Sequence, residues 1–389
     1  RRRGRRRRHL PRLAPGRAVA PCHAPAGALA IGRGVIKYLG SKRLLIPEIL
    51  RIVEALGEVR TVIDLFSGTS RVGHALKAAG RRVLANDHNA YAATLARCYV
   101  QADREDVLAD ATRLIAELGA LPGEPGYVTR TFCEEARFFQ PKNGARIDRI
   151  RRAIAEKHLD PELEAVLLVA LIEAADRVDS TTGVQMAYLK EWAARAHADL
   201  ELRVPDVLPR AAAGKGEAHG LDALAAAELL EGDLAYIDPP YNQHSYLGNY
   251  HIWETIVRGD APEAYGVARK RLDCRERRSP FNGRTKIRAA MQALVDAVRA
   301  PLLVVSFSDE GYLARPELEA MLARRGAVRV FSFGYKRYVG AQIGIFNPRG
   351  EKVGRVSHLR NTEHIYVVGE GRHAAAVAAL PALGQPEAT

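Results

Sequence analysis

Only four cysteines occur in this 389-residue chain, Cys22, Cys98, Cys133 and Cys274, and no two of them form a CxxC pair. Such scatter suggests neither a zinc site nor a disulfide framework, and a reducing cytoplasm is the natural setting. Long apolar runs are also missing. No stretch is long enough to cross a bilayer as a helix, so no membrane partner is expected. The G-x-G-x-x-G dinucleotide fingerprint is absent. Acidic residues are absent from positions 1–33, which hold ten arginines and so carry ten of the thirteen net positive charges. The rest of the chain is left at only +3. A stretch rich in Arg, Pro, Ala and Gly cannot build a core, and residues 1–33 are expected to form a disordered basic tail. The arginine run at 1–8 suits non-specific grip on phosphates. No apolar segment follows it, so it is no secretion signal. The chain begins without Met, and the tail is expected to be dispensable or the product of a misplaced start.

What the chain does contain is 47% hydrophobic residues, enough to bury a sizeable core or two. The apolar run at 234–237 reads as a buried strand and ends in Asp238-Pro239-Pro240-Tyr241. The prolines fix φ and remove two backbone donors, which leaves a stiff loop with free carbonyls. A carboxylate, such carbonyls and an aromatic ring suit a flat substrate bearing an amino group. An ordinary Pro-rich turn is the plainer alternative.

A second signal lies upstream. Residues 61–66 read as a strand, 67–73 as a tight Gly-containing turn and 74–79 as a helix closed by Gly80. Strand, small-residue loop and helix form the first unit of a doubly wound sheet, with a ligand at the strand's carboxyl end. The next strand, 82–86, ends at Asp87. That position suits a ribose hydroxyl pair, or equally the start of the following helix.

These two stretches carry a resemblance. Asp64-Leu65-Phe66-Ser67-Gly68-Thr69 resembles the first motif of S-adenosylmethionine-dependent methyltransferases. Asp238-Pro239-Pro240-Tyr241 is similar to the catalytic tetrad of amino-group nucleic-acid methyltransferases. Lys37-Tyr38-Leu39-Gly40-Ser41-Lys42-Arg43 resembles the N-terminal cofactor motif of DNA adenine methylases, and the order of the three is that of the DNA adenine methylase-like class. The likeness covers about 35–368. The stretches at 242–246 and 249–255 also resemble a branch found with restriction systems that read asymmetric sites. One departure is Ser70, where glycine is common.

The resemblance implies an α/β, Rossmann-like methyltransferase sheet, mostly parallel with an antiparallel terminal strand, plus a helical insertion. The catalytic domain is expected at 34–100 and 215–370, the insertion at 101–214 and a disordered tail at 371–389. Helices are expected at 44–56, 88–100, 103–118, 144–157, 161–178 and 185–199, with Pro161 in a first turn. Further strands are expected near 218–221, 302–307, 328–333 and 363–368.

The implied activity is methyl transfer from S-adenosylmethionine to the N6 amino group of adenine in duplex DNA, after the base is flipped out. Asp238, Pro239, Pro240 and Tyr241 would be catalytic. Tyr38, Lys42, Asp64, Phe66, Gly68, Asp87, Asp222 and Asp238 would hold the cofactor, with Asp87 at the ribose and Asp222 at the adenine ring. Lys42 as a solvated lysine and Asp222 as a helix cap remain the plain alternatives. No metal is required. The insertion and the basic segment 242–286 would contact double-stranded DNA, through Arg269, Lys270, Arg271, Arg277 and Arg278. A cognate restriction endonuclease is the other implied partner. RNA-base methylation, cytosine-N4 methylation and a non-catalytic DNA-binding module are the competing readings. A long insertion favours duplex DNA, and a tetrad that starts with Asp rather than Ser favours adenine.

Overall fold

The computed structural model describes residues 36–336 and 360–382. The tail at 1–33 therefore lies outside the described residues.

Four short segments begin the parallel part of one sheet. They are β1 (Thr61–Asp64), β2 (Arg82–Asn86), β3 (Glu217–His219) and β4 (Leu234–Ile237). β4 is apolar throughout and β1 at its two central residues, and both are largely buried, as in a strand covered on both faces. β2 pairs with β1 from Thr61↔Arg82 to Asp64↔Ala85, and β4 pairs on the other side from Val62↔Leu234 to Asp64↔Tyr236. This register brings the ends of β1 and β4 level, so Asp64 and Asp238 emerge at the same edge.

A minor two-stranded ribbon pairs β5 (Ala264–Tyr265) with β6 (Lys270–Arg271). The main sheet continues through β7 (Leu302–Ser308), parallel to β4. β8 (Ala327–Lys336) and β9 (Arg360–Gly369) close it, and β9 inserts antiparallel between β7 and β8. The order is β3-β2-β1-β4-β7-β9-β8, a seven-stranded and mostly parallel sheet with an antiparallel closing strand. The expected strands near 218–221, 302–307, 328–333 and 363–368 all appear, and the α/β class is as expected.

Helices supply the rest. α1 (Ile46–Ala55) and α2 (Arg71–Ala78) flank β1 in sequence, and α3 (Ala90–Ala96) follows β2 and runs on into a wide π turn at Arg97–Gln101. α4 (Arg104–Gly119), α5 (Pro141–Glu156) and α6 (Pro161–Arg177) build the insertion. Asp160 caps α6 by accepting from the Glu162 amide, and Pro161 occupies its first turn. α6 is apolar nearly all round because it forms the centre of a core shared with α3, α4 and α5. Among the described residues no helix is long and apolar enough to cross a membrane.

Two expectations need correction. The helix expected at 185–199 is instead an extended loop with one 3-10 turn, Ala194–His197. Tertiary hydrogen bonds hold that backbone: the Leu189 amide donates to the Ser180 carbonyl, and the Gln185 amide to the Asn249 carbonyl. The stretch 371–382 is not a disordered tail. It forms a turn, Gly371–His373, and a short helix, Ala374–Ala379, whose Val377 is fully buried. That helix packs on β8 and β9, and Leu380 behind it is also buried. Apolar side chains recurring three apart, Val377 and Leu380, give it a face to bury.

Candidate functional site

The carboxyl ends of β1, β2 and β4 border a cavity of about 290 Å³. α7 (Ala223–Leu229) and α8 (Tyr246–Asn249) also border it, and α9 (His251–Arg258) follows α8. Tyr38, Lys42, Asp64, Phe66, Gly68, Asp87, Asp222 and Asp238 all line it, as does Pro240. These residues come from points up to two hundred positions apart, and the parallel register is what collects them.

Lys42 is the electrostatic centre. Its Nζ lies 2.8 Å from Asp238 Oδ1 and 3.2 Å from Glu363 Oε1, and only 8% of its side chain is exposed. Glu363 is buried on β9 and also accepts from Ser306 Oγ at 2.6 Å. Burial opposes the Lys42 charge, but Asp238 and Glu363 outweigh it and hold the ammonium well above its ordinary range. Burial pushes the Asp238 carboxyl up to about 6; Lys42 pulls it down and Glu363 pushes it up. The solvated-lysine alternative for Lys42 therefore fails.

Asp64 is 1% exposed, and neither of its carboxylate oxygens has a hydrogen-bond partner among the described residues. The Gly73 and Phe66 amides lie near enough to relieve part of the cost without forming well-shaped bonds. Burial raises this carboxyl to about 8, and Asp238 and Asp87 add to the rise. A buried acid with nothing to accept from is costly, and it is retained where a ligand supplies the partner.

The loop after β1 takes its shape from two left-handed residues, Gly68 at φ 51° and Ser70 at φ 58°. A Cβ on Gly68 would sit 3.2 Å from the Tyr38 hydroxyl, so glycine lets this backbone approach that ring. Ser70 accepts the conformation that glycine adopts without cost, so the loop keeps its form despite the substitution.

Asp87 accepts from the Gly68 amide at 3.0 Å and from the Asn89 amide at 2.9 Å. It thus ties the loop to β2 and starts the turn into α3. Burial raises its pKa. Asp222 Oδ1 accepts from the Leu224 amide at 2.9 Å and caps α7, as its plain alternative holds, while the residue also borders the cavity. Phe66 meets Phe281 edge to face at 5.2 Å. Tyr38 stacks on Tyr250 at 4.5 Å and on Tyr246 at 5.2 Å, making an aromatic wall.

Other predicted residues lie elsewhere. Pro239 is buried, and neither it nor Tyr241 lines the cavity. The Tyr241 ring packs 5.1 Å from Phe307, with Lys42 Nζ 5.9 Å from its centroid. Arg277 and Arg278 line the cavity, and Arg277 donates to Glu254 at 2.9 Å and to the His88 carbonyl at 3.1 Å. Arg269 pairs with Glu135 at 3.3 Å, and Lys270 is half-buried. Arg271 is a correction. It is 2% exposed and grips Asp260 through two bonds of 2.7 Å, so it has no fork left for a phosphate. Sequence reasoning missed Glu363. Glu363 reads as one polar residue in a strand, and only the β7–β9 register places it beside Lys42.

Comparison with known proteins agrees with this geometry. The family model of the D12 class N6 adenine-specific DNA methyltransferases matches residues 38–294. Over 325 residues the chain is 31% identical to the type II methyltransferase M.FokI of Planomicrobium okeanokoites, covering 78% of this chain and 50% of that relative. It is 27% identical to the modification methylase StsI of Streptococcus sanguinis, again over 50% of the relative. The type II methyltransferase M.NlaIII of Neisseria lactamica is 28% identical, over 92% of its length. The chain thus spans about half of two of these relatives and nearly all of the third. With the family's model matching from the N-terminal motif through the tetrad, the chain belongs to the D12 class of N6 adenine-specific DNA methyltransferases.

Proposed function

We propose that this chain methylates the N6 amino group of adenine at a specific sequence in duplex DNA, using S-adenosylmethionine. The observation that carries this reading is the pair of carboxyls at one sheet edge: Asp238 ion-paired to Lys42, and Asp64 buried without a partner beside it. The cavity's residues fit the methyl donor. Asp64 suits an ammonium, the close backbone at Gly68 suits an extended chain, and Asp87 and Asp222 suit the ribose and the ring amino group. When bound, the donor supplies an electrophilic methyl group.

The chain's own residues do the rest. An adenine amino lone pair is delocalised into its ring and is a poor nucleophile. Asp238 and the Pro239 carbonyl accept its two N–H groups, which favours the pyramidal nitrogen and offsets developing positive charge. Lys42 keeps Asp238 ionised for that task and fixes its direction. Tyr241 stacks on the base and sets the nitrogen's approach. Base flipping brings the adenine to this edge. Arg269, Lys270, Arg277 and Arg278 remain the candidates for phosphate contacts, with the insertion at 101–214 reading the sequence. A reducing cytoplasm and a cognate restriction endonuclease complete the reading.

The test is transfer of labelled methyl groups to DNA by the purified chain, with product bases identified by mass spectrometry. N6-methyladenine is expected, and Asp238→Ala should lower turnover by about 10²–10³. N4-methylcytosine, methylated RNA, or no transfer together with DNA binding would each replace the proposal with a competing one.

A further inference from the structure

Lys42 has one more carboxylate than its charge needs. Asp238 at 2.8 Å is enough to neutralise it, yet Glu363 stands 3.2 Å away as well, with 2% of its side chain exposed. One ammonium and two carboxylates leave the buried trio with an excess negative charge, which burial opposes. A pairing needed only for stability would have stopped at one partner. Glu363 is also built in. It lies on β9 opposite Ser308 of β7, and the buried Ser306 two residues back on β7 donates to its Oε1 at 2.6 Å, the oxygen that meets Lys42. Lys42 and Asp238 line the cavity, whereas Glu363 does not. Glu363 therefore reaches the site only through them.

The proposed reaction says what the extra charge is for. The adenine amino lone pair bonds the methyl carbon, the S–C bonding pair stays with sulfur, and positive charge moves onto nitrogen before an N–H proton leaves to Asp238. A Lys42–Asp238 pair alone is neutral, and its ammonium weakens the field that Asp238 presents to that charge. A second carboxylate on the same ammonium offsets the weakening. We propose that Glu363, oriented by Ser306, is a positioning residue for methyl transfer: it holds the Lys42 ammonium and balances its charge, so that Lys42 directs Asp238 without cancelling it. This rests on the reading of Asp238 as the acceptor for the amino group.

Steady-state methyl transfer to DNA by the full chain, followed against pH, tests this role. Glu363→Gln keeps the shape and removes the charge. It should lower kcat by about 10–100-fold, the effect of one charge near a buried reaction centre, and leave KM for DNA and donor within about twofold. The acid limb of kcat/KM should also move to lower pH. The groups facing Asp238 are Lys42, Glu363, Asp64, Tyr236, Tyr241 and Tyr246, and Glu363 raises its carboxyl while Lys42 lowers it. Mere disorder of Lys42 would move the limb the other way. The double variant Lys42→Met with Glu363→Gln leaves neither charge unpaired and keeps the test open if the single variant does not fold. Its acid limb should lie below that of Lys42→Met alone. An unchanged kcat or an unmoved or raised limb in Glu363→Gln, or equal limbs in the double variant and Lys42→Met, overturns the role of Glu363 and leaves Asp238 in place. If the unaltered chain transfers no methyl group, the reading of Asp238 falls and the role of Glu363 with it.

Discussion

A lysine between two carboxylates sets the pH behaviour of this site. In the proposed mechanism ionised Asp238 is the strong acceptor for the amino group, and its pKa of about 6 puts the expected acid limb of activity near pH 6. Lys42 is what holds it that low against burial. Lys42→Met should therefore move the acid limb upward by about one to three pH units, the usual effect of an opposite charge at this range. A pH profile of kcat/KM reads this, and a limb that stays in place would show that Lys42 does not control Asp238. The raised acids also bear on stability. Free aspartate titrates near about 3.9, so folded Asp64 and Asp238 hold protons that the unfolded chain releases. Native protein then binds more protons than unfolded protein from about pH 4 to about 6 for Asp238 and to about 8 for Asp64, and stability falls as pH rises through that window. Asp64→Asn should flatten the decline between pH 5 and pH 8.5, seen in urea unfolding at several pH values. An unchanged slope would place the titration elsewhere.

Elements were legible where an apolar period was strong and local. α4, α5, α6 and the strands of the sheet other than β3 declared themselves by such patterns. The loop at 185–199 carries a helical composition, yet backbone bonds to Ser180 and Asn249 override that propensity. The helix Ala374–Ala379 is the converse case: six residues of good helix propensity but too short to hold a helix alone, ordered because Val377 and Leu380 find a site on the closing strands. Leu380→Ala should cost about 2 kcal/mol, the low end for a buried leucine because the short segment that carries it can shift into the gap. Chemical denaturation measures it, and a loss near zero would show that the docking contributes nothing.

At the scale of the whole molecule, charge is unevenly held. Ten of the thirteen net charges belong to residues 1–33, whereas the family match begins at residue 38. Phosphate contacts position a protein on DNA, and base-edge contacts specify the sequence. Deleting residues 1–33 should leave the methylated sequence unchanged and flatten the salt dependence of DNA binding, because fewer counterions are released. Methylation mapping together with binding across a salt series checks both parts. A changed recognition sequence would mean that this segment reads bases.

The motif chemistry was legible in the chain because each piece is contiguous: the lysine motif before β1, the glycine loop after it and the tetrad after β4 are local solutions to local backbone demands. The α/β class followed from the resemblance these motifs carry, whereas the strand order is a property of the folded sheet. Pairings across the sheet were not legible. That Lys42 lies between Asp238 and Glu363, that Arg271 is spent on Asp260, and that Asp64 faces the cavity without a partner are consequences of register and packing. The two partners of Lys42 lie roughly two hundred and three hundred positions away and leave no period in the sequence, so only the folded sheet, which brings distant strand ends to one edge, decides them.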